Sequence, residues 1–285
     1  STFNSCFEVP IMIFKNKHVA DEVASNQIEE RHIRVNKLTL WKQEINQSKT
    51  LFCSQLCRFV YLRNISFITN RMECIIVSGS SPKPLHADQV ETLIISDCTF
   101  DNNEKDCIKS ADNSELFLQV NMCRFTQNRE SCVKSNNSVN LRVIGCRFDG
   151  NSRTVEVLGG HFFLVKSIFL RNRQGMVYIS DQRNKKIECV TVSHNRIHEL
   201  DEDGVVINYF PNTKVTIQGN EIESCRNGVC LNFKSRPFKI GGLTTEISDN
   251  TIKNNSGFGI VVRGQGCKCQ LLGGLISQNG RGADR

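Results

Sequence analysis

The sequence has no run approaching roughly 18 consecutive apolar residues, which excludes an apolar membrane-spanning helix. Its start, STFNSCFEVP, lacks the basic-then-apolar layout of a secretion signal, and it begins at Ser1 rather than Met, as an excised fragment would. A 3.6-residue apolar period is missing, which excludes helical repeats, and Leu is too sparse for a leucine-rich repeat. No CxxC pair occurs among the 14 Cys and the six His are scattered, so structural zinc is not expected, nor any cofactor. Excess charge of one sign is small: 36 Lys+Arg against 29 Asp+Glu leave a formal +7, spread along the chain, which suits an acidic partner. No aromatic platform interleaves with the basic residues, and nucleic acid is therefore not the expected ligand. At 39% hydrophobic and 23% charged, the composition is that of a globular chain and excludes wholesale disorder.

What is present is a repeat. Aligned on the Phe or Ile at positions 67, 100, 125, 148, 169, 197, 222, 252 and 276, nine segments share one template at intervals of 21 to 33 residues. Seven and five residues before each anchor stand apolar pairs such as Leu93/Ile95, Leu118/Val120 and Val215/Ile217, an alternation of period two that reads as a strand with one inward face. The next inward position falls three residues on, at Ile65, Cys98, Cys123, Cys146, Ser167, Asn195, Asn220 and Asn250, so the chain must turn a corner between them. Asn64, Asp97, Gly145, Gly219, Asp249 and Gly273 occupy that corner, as turn chemistry prefers. Three residues past the anchor, Asn70, Asn103, Asn128, Asn151 and Asn172 mark a second corner; the Asn lapses at Leu200 and Cys225 and returns at Asn255 and Asn279. A third short strand follows, as in Ile75/Val77, Val155/Val157, Val177/Ile179 and Val205/Ile207.

Three strands and their turns per repeat predict an all-β chain, a right-handed parallel β-helix of nine clear coils over residues 57–285. Residues 1–56 are expected to form one or two degenerate coils or a cap, with Leu40 as one faint anchor and Phe14 as another. The last coil reaches Arg285 without a third strand. Residues 78–90 and 198–204 read as loops that break the spacing, and insertions on a repeat scaffold often carry binding.

Catalytic and metal chemistry finds little purchase. Asp101 and Asp149, two coils apart, are the best candidates for an inverting carboxylate pair, and His198 and Glu223 face each other on adjacent coils, but solvated turn residues are the better reading of both. Asp201, Glu202 and Asp203 are consecutive and cannot all reach one calcium ion. Cys98, Cys123 and Cys146 read as buried fillers with reduced thiols. Trp41 and Tyr178 are expected to point outward. The strongest outward pattern is basic: Arg71, Arg129 and Arg173 follow the second corner, with Lys105 and Arg153 one residue further on. A ridge of cations on five successive coils suits an acidic or phosphorylated protein partner, or an acidic glycan.

The cores SDCTFDNN, NMCRFTQN, IGCRFDGN, QGNEIESCRNGV and SDNTIKNNSGFGI resemble the repeats of carbohydrate-binding and sugar-cleaving β-helices. The paired Asp-Asp and Asn-Thr-Asp motifs of polygalacturonases are absent. Cys-rich coils without lyase motifs are most similar to the C-terminal β-helix of the SHC SH2-domain-binding protein and nessun dorma family, with β-helix F-box proteins as the nearest competitor. The resemblance implies a non-enzymatic cytoplasmic protein of dividing cells, associated with centralspindlin at the spindle midzone, midbody or ring canals, with affinity for galactose-containing glycans. It transfers no catalytic residue.

Overall fold

A computed structural model describes residues 11–12, 38–46, 51–54, 59–78, 91–110, 116–136, 140–179, 188–209, 213–234, 245–264 and 269–280. Among these, every regular element is a strand. The strands form two parallel sheets: one of ten third strands, and one of 18 that holds the first strands and the short anchor strands. All pairings join equivalent strands of successive coils, so the chain is a solenoid. The nine anchors from Phe67 to Ile276 fall in one unbroken ladder.

Inward side chains therefore lie on their counterparts from the coil before. The rings of Phe67, Phe100, Phe125, Phe148 and Phe169 stack with centroids 4.9, 4.7, 4.9 and 4.6 Å apart. That spacing is the strand separation itself, about 4.8 Å, so the rings stack without displacing the backbone. Cys98, Cys123 and Cys146 are buried in a neighbouring column as free thiols, each donating to a carbonyl. A second thiol column, Cys74, Cys107 and Cys132, lies buried at the start of the third strands. It breaks the strand alternation, because Cys132 and Val133 are consecutive and both buried where the chain leaves the second corner. Higher in the solenoid the same column holds Gly175 and Gly204; a Cβ added at Gly175 would run into the Gly204 carbonyl.

Both corners have one mechanism. A residue three before the anchor takes a left-handed conformation in each coil, Asn64 at φ 54°, Asp97 at 54°, Gly145 at 64° and His194 at 56°. A second left-handed residue stands two after the anchor, as Asn102 at 51°, Gln127 at 52° and Arg171 at 52°. Behind this corner runs the Asn ladder. Asn103 donates its side-chain amide to Asn128 Oδ1 at 2.9 Å, Asn128 to Asn151 at 2.8 Å, and Asn151 to Asn172 at 3.0 Å. Each ladder oxygen also accepts the backbone N–H of the same neighbour. Leu200 and Cys225 interrupt the ladder and are buried apolar fillers instead. A matching ladder of Asn195, Asn220 and Asn250 supports the first corner.

Four expectations differ. The N-terminal register is offset: Leu38, Leu40, Gln43 and Ile45 pair with Val60, Leu62, Ile65 and Phe67, so the anchor is Ile45 rather than Leu40. A faint alternating segment satisfies the template in two registers, and only pairing chooses between them. Ile11 and Met12 pair with Leu51 and Phe52 in the third-strand sheet, not beside the anchors; the Phe14 anchor lies outside the described residues. Tyr178 is buried and points inward with Met176, while Val177 and Ile179 are half-exposed, since Val155 and Val157 pair with Met176 and Tyr178. Its hydroxyl lies 3.0 Å from Glu188 Oε2 and donates within 3.0 Å of the Gly160 carbonyl, a polar network that lets an inward tyrosine satisfy its oxygen. Finally, residues 198–204 are no insertion. They form an ordinary second corner leading to the strand Val205–Tyr209. Residues 79–90 and 281–285 fall outside the described residues.

Leu271 and Ile276 are inward by column yet 57% and 43% exposed, because nothing among the described residues stacks on the last described coil.

Candidate recognition surface

The second corner dictates where the basic residues go. After the left-handed residue and the buried ladder Asn, the chain presents outward side chains whose N–H groups bond one coil down, Glu104 to Asn70, Arg129 to Asn103, Ser152 to Asn128 and Arg173 to Asn151. Arg71, Glu104, Arg129, Ser152 and Arg173 consequently occupy one column. Lys105 and Arg153 adjoin it, Arg153 standing between Ser131 and Gln174 in the third-strand sheet. All five cations are exposed.

The edge they share also carries acids that sequence inspection of the cations alone passed over. Lys105 Nζ lies 3.0 Å from Glu130, Arg129 3.8 Å from Glu104, and Arg173 3.4 Å from Glu202. The hydrogen bond from Lys105 to Glu130 raises the lysine pKa. Arg71 and Arg153 pair with no carboxylate among the described residues. Exposed pairs of this kind are weak because water and salt screen them, so an incoming anion can compete for the paired cations at little cost.

Asp149, the best-placed candidate acid, is held fast. Arg171 donates to both of its oxygens at 2.7 and 2.8 Å, and Arg147 adds a bond at 3.1 Å. Burial alone would push the carboxyl up, but the Arg171 and Arg147 hydrogen bonds outweigh it and hold the group below the usual carboxylate range. Both arginines were legible by column: Arg147 precedes its anchor by one residue, and Arg171 is the left-handed residue of the next coil. Asp101 faces Thr126, with Asp149 on the coil beyond.

A second cluster forms higher on the same face. Pairing places His198 beside Glu223 and Arg196 beside Glu221. The His198 ring lies 3.8 Å from each glutamate, and ligand-type atoms of His198, Glu221 and Glu223 fall within 4.8 Å of one another. Glu221 had escaped notice because it belongs to the far side of its anchor. The cluster is already balanced by cations: Arg196 reaches Glu221 at 3.6 Å and Lys253 reaches Glu223 at 3.4 Å. Asn254 donates to Glu223 at 2.8 Å, and that bond, ahead of Lys253, holds the carboxyl below its ordinary range.

The three consecutive acids splay apart. Asp201 is exposed, Glu202 turns to Arg173, and Asp203 accepts from Arg226 at 2.9 Å, from Asn227 at 2.8 Å and from the Cys230 thiol. Burial, with Asp203 nearby, pushes Cys230 up to about 12; burial likewise pushes Cys225 to about 12.

No curated protein matches the chain. The family described as a right handed beta helix region matches residues 85–243, more than half of the 285 residues and centred on the coils with the stacked Phe and Asn columns. In-register parallel coils, two left-handed corners per turn and this match agree, and the chain belongs to the right-handed β-helix family.

Proposed function

We propose that the solenoid is a non-enzymatic recognition scaffold that receives an acidic or phosphorylated protein partner along its second-corner edge. The observation that carries this reading is the placement of Arg71, Lys105, Arg129, Arg153 and Arg173 as exposed steps of one edge on five successive coils. A guanidinium recognises carboxylate or phosphate through paired N–H bonds, and cations repeating at about 4.8 Å match an extended chain of anionic side chains. The bound state of Asp149 supports the non-enzymatic side, because a carboxylate held deprotonated by two arginines is poorly suited to donate a proton.

The finer identity rests on the likeness of the repeat cores to the SHC SH2-domain-binding protein and nessun dorma family. On that likeness the scaffold acts in cytokinesis, in the cytoplasm at the spindle midzone, midbody or ring canal, in association with centralspindlin, with a galactose-containing glycan as a further ligand. The test is capture of partners from mitotic cells by the wild-type chain and by the double variant Arg129→Glu/Arg153→Glu. Loss of a centralspindlin-associated partner in the variant is expected; equal capture would remove the edge from the interface.

A polysaccharide-cleaving activity is the second reading, favoured by Glu221 and Glu223. Carboxylate oxygens of these two residues lie within 4.8 Å of each other, closer than the separation of about 6.5 to 9.5 Å in an inverting pair and nearer that of a retaining pair. Against it, both carboxylates are already engaged, Glu221 by Arg196 and Glu223 by Lys253 and Asn254. Cleavage of pectins, alginates or galactans that disappears in Glu221→Gln or Asp149→Asn would establish the enzyme and overturn the scaffold.

A further inference from the structure

One flat face of the solenoid differs from the others in charge. The strands Glu91–Ser96, Leu116–Asn121, Asn140–Ile144, His161–Val165, Glu188–Ser193 and Thr213–Gln218 lie side by side in register. On these six coils the described outward side chains include no Asp or Glu, and Glu188 is buried inward; the next coil of the same sheet carries Glu246 beside Thr216. The cations Arg142 and Lys214 point outward among amides, hydroxyls and apolar groups. The adjoining anchor-strand face, by contrast, carries Asp101, Asp149, Glu221 and Glu223.

Arg142 is the centre of this face. It stands between Gln119 and Phe163 in the ladder, and its guanidinium lies 5.1 Å from the Phe117 ring centroid and 5.2 Å from that of Phe163. A ring from the coil on either side holds the guanidinium in place, and its exposed N–H groups can meet a ligand. Arg142 is exposed and pairs with no carboxylate among the described residues. Ile144 and Val165 are paired and half-exposed beside it.

We propose that this face is a docking site for an extended acidic peptide, with Arg142 as its anchor. A carboxylate of the peptide meets the exposed Arg142 guanidinium, and an apolar side chain covers Ile144 and Val165. A peptide fits better than a sugar chain, because the ring surfaces that a sugar would stack on are the ones Arg142 already occupies, and the aliphatic neighbours offer nothing to hydroxyls. The proposal rests on the recognition-scaffold reading but uses a different face from the basic edge, so the two can fail separately.

The experiment is fluorescence anisotropy of a labelled octapeptide of alternating glutamate and leucine, titrated with the whole chain. Saturable binding is expected, weakened about tenfold or more by Arg142→Gln, since a hydrogen-bonded ion contact contributes on that scale. Phe163→Leu keeps the charge and loosens the ring contacts, and it should also weaken binding; affinity that falls in Arg129→Glu/Arg153→Glu but not in Arg142→Gln would place the peptide on the second-corner edge and overturn the proposal. Thermal unfolding checks that each variant is folded; Arg142→Lys, which keeps the charge and loses the planar fork, should remain folded and still bind less well. The proposal is overturned by absence of saturable binding, by equal affinity in Arg142→Gln, or by binding of an oligogalacturonate in place of the peptide. If mitotic partners are captured equally by Arg142→Gln, this face is excluded as their site and the scaffold reading stands.

Discussion

Replacing Asn151 by Ala tests the idea that the corners are held by a continuous hydrogen-bonded ladder. Asn151 is 1% exposed, and its oxygen accepts both the backbone N–H of Asn128 at 2.9 Å and the Asn128 amide at 2.8 Å, while its own amide donates to the Phe125 carbonyl at 3.0 Å. The substitution orphans the Asn128 backbone N–H, removes one of the two acceptors of the Asn128 amide, which keeps the Phe100 carbonyl, and takes the side-chain donor from the Phe125 carbonyl, whereas Asn172 Oδ1 keeps the Asn151 backbone N–H. At about 1 to 3 kcal/mol for the orphaned group, and with the two other lost bonds added, the expected loss is about 3 to 5 kcal/mol. Asn279 provides the control. Its oxygen accepts the equivalent bonds from Asn255, at 3.1 and 2.8 Å, but at the more exposed end of the ladder. Water can replace them there, so Asn279→Ala should cost below about 1 kcal/mol. Because repeat arrays unfold in segments, urea melts should be joined to hydrogen exchange, with the Asn128 amide losing protection in Asn151→Ala. A cost for Asn151→Ala within about 1 kcal/mol of that for Asn279→Ala would refute the ladder as a source of stability.

Two other predictions follow from the titratable groups. The Asp149 carboxyl has a folded pKa below its unfolded value near about 3.9, so its clamp contributes stability above that pH and loses it as pH falls through the lower folded value. In urea melts, wild type should therefore exceed Asp149→Asn at neutral pH and approach it below about pH 4; a gap that stays constant down to pH 2 would contradict the clamp. Burial of Cys225, with its pKa pushed up to about 12, and of Cys107 and Cys123 should leave these thiols unmodified by iodoacetamide at pH 8 in the folded chain and reactive in urea, as read by mass spectrometry. Rapid labelling of the folded chain would show that the columns open.

Much of the fold was legible because a solenoid repeats its physics. Phe100, Phe125 and Phe148 recur in a fixed frame, and the three-residue step to Cys98, Cys123 and Cys146 betrays a corner that needs a left-handed residue. Where the frame grew faint, periodicity ceased to decide: Leu40 and Ile45 satisfy the template equally, and strand pairing selected Ile45. Tyr178 went astray for a related reason. Apolar residues on both faces of Gln174–Ile179 hide which set is inward, and the buried partner Glu188 that satisfies its hydroxyl is invisible to an alternation rule.

The surface was less legible than the core. The basic edge can be counted from the second corner, since backbone geometry fixes which residues face out, and so can the columns of Arg147 and Arg171. What a column does depends on its neighbours one coil away, 21 to 33 residues distant in the chain. Only stacking joins Arg171 to Asp149, Glu104 to Arg129, and Arg142 to the rings of Phe117 and Phe163. The amino-acid sequence by itself determined the coil, its corners and its buried columns, because backbone sterics and burial act within one repeat. The tertiary structure decided which charges are spent on each other and which remain for a partner, because ion pairs and ring contacts form across the space of about 4.8 Å between coils.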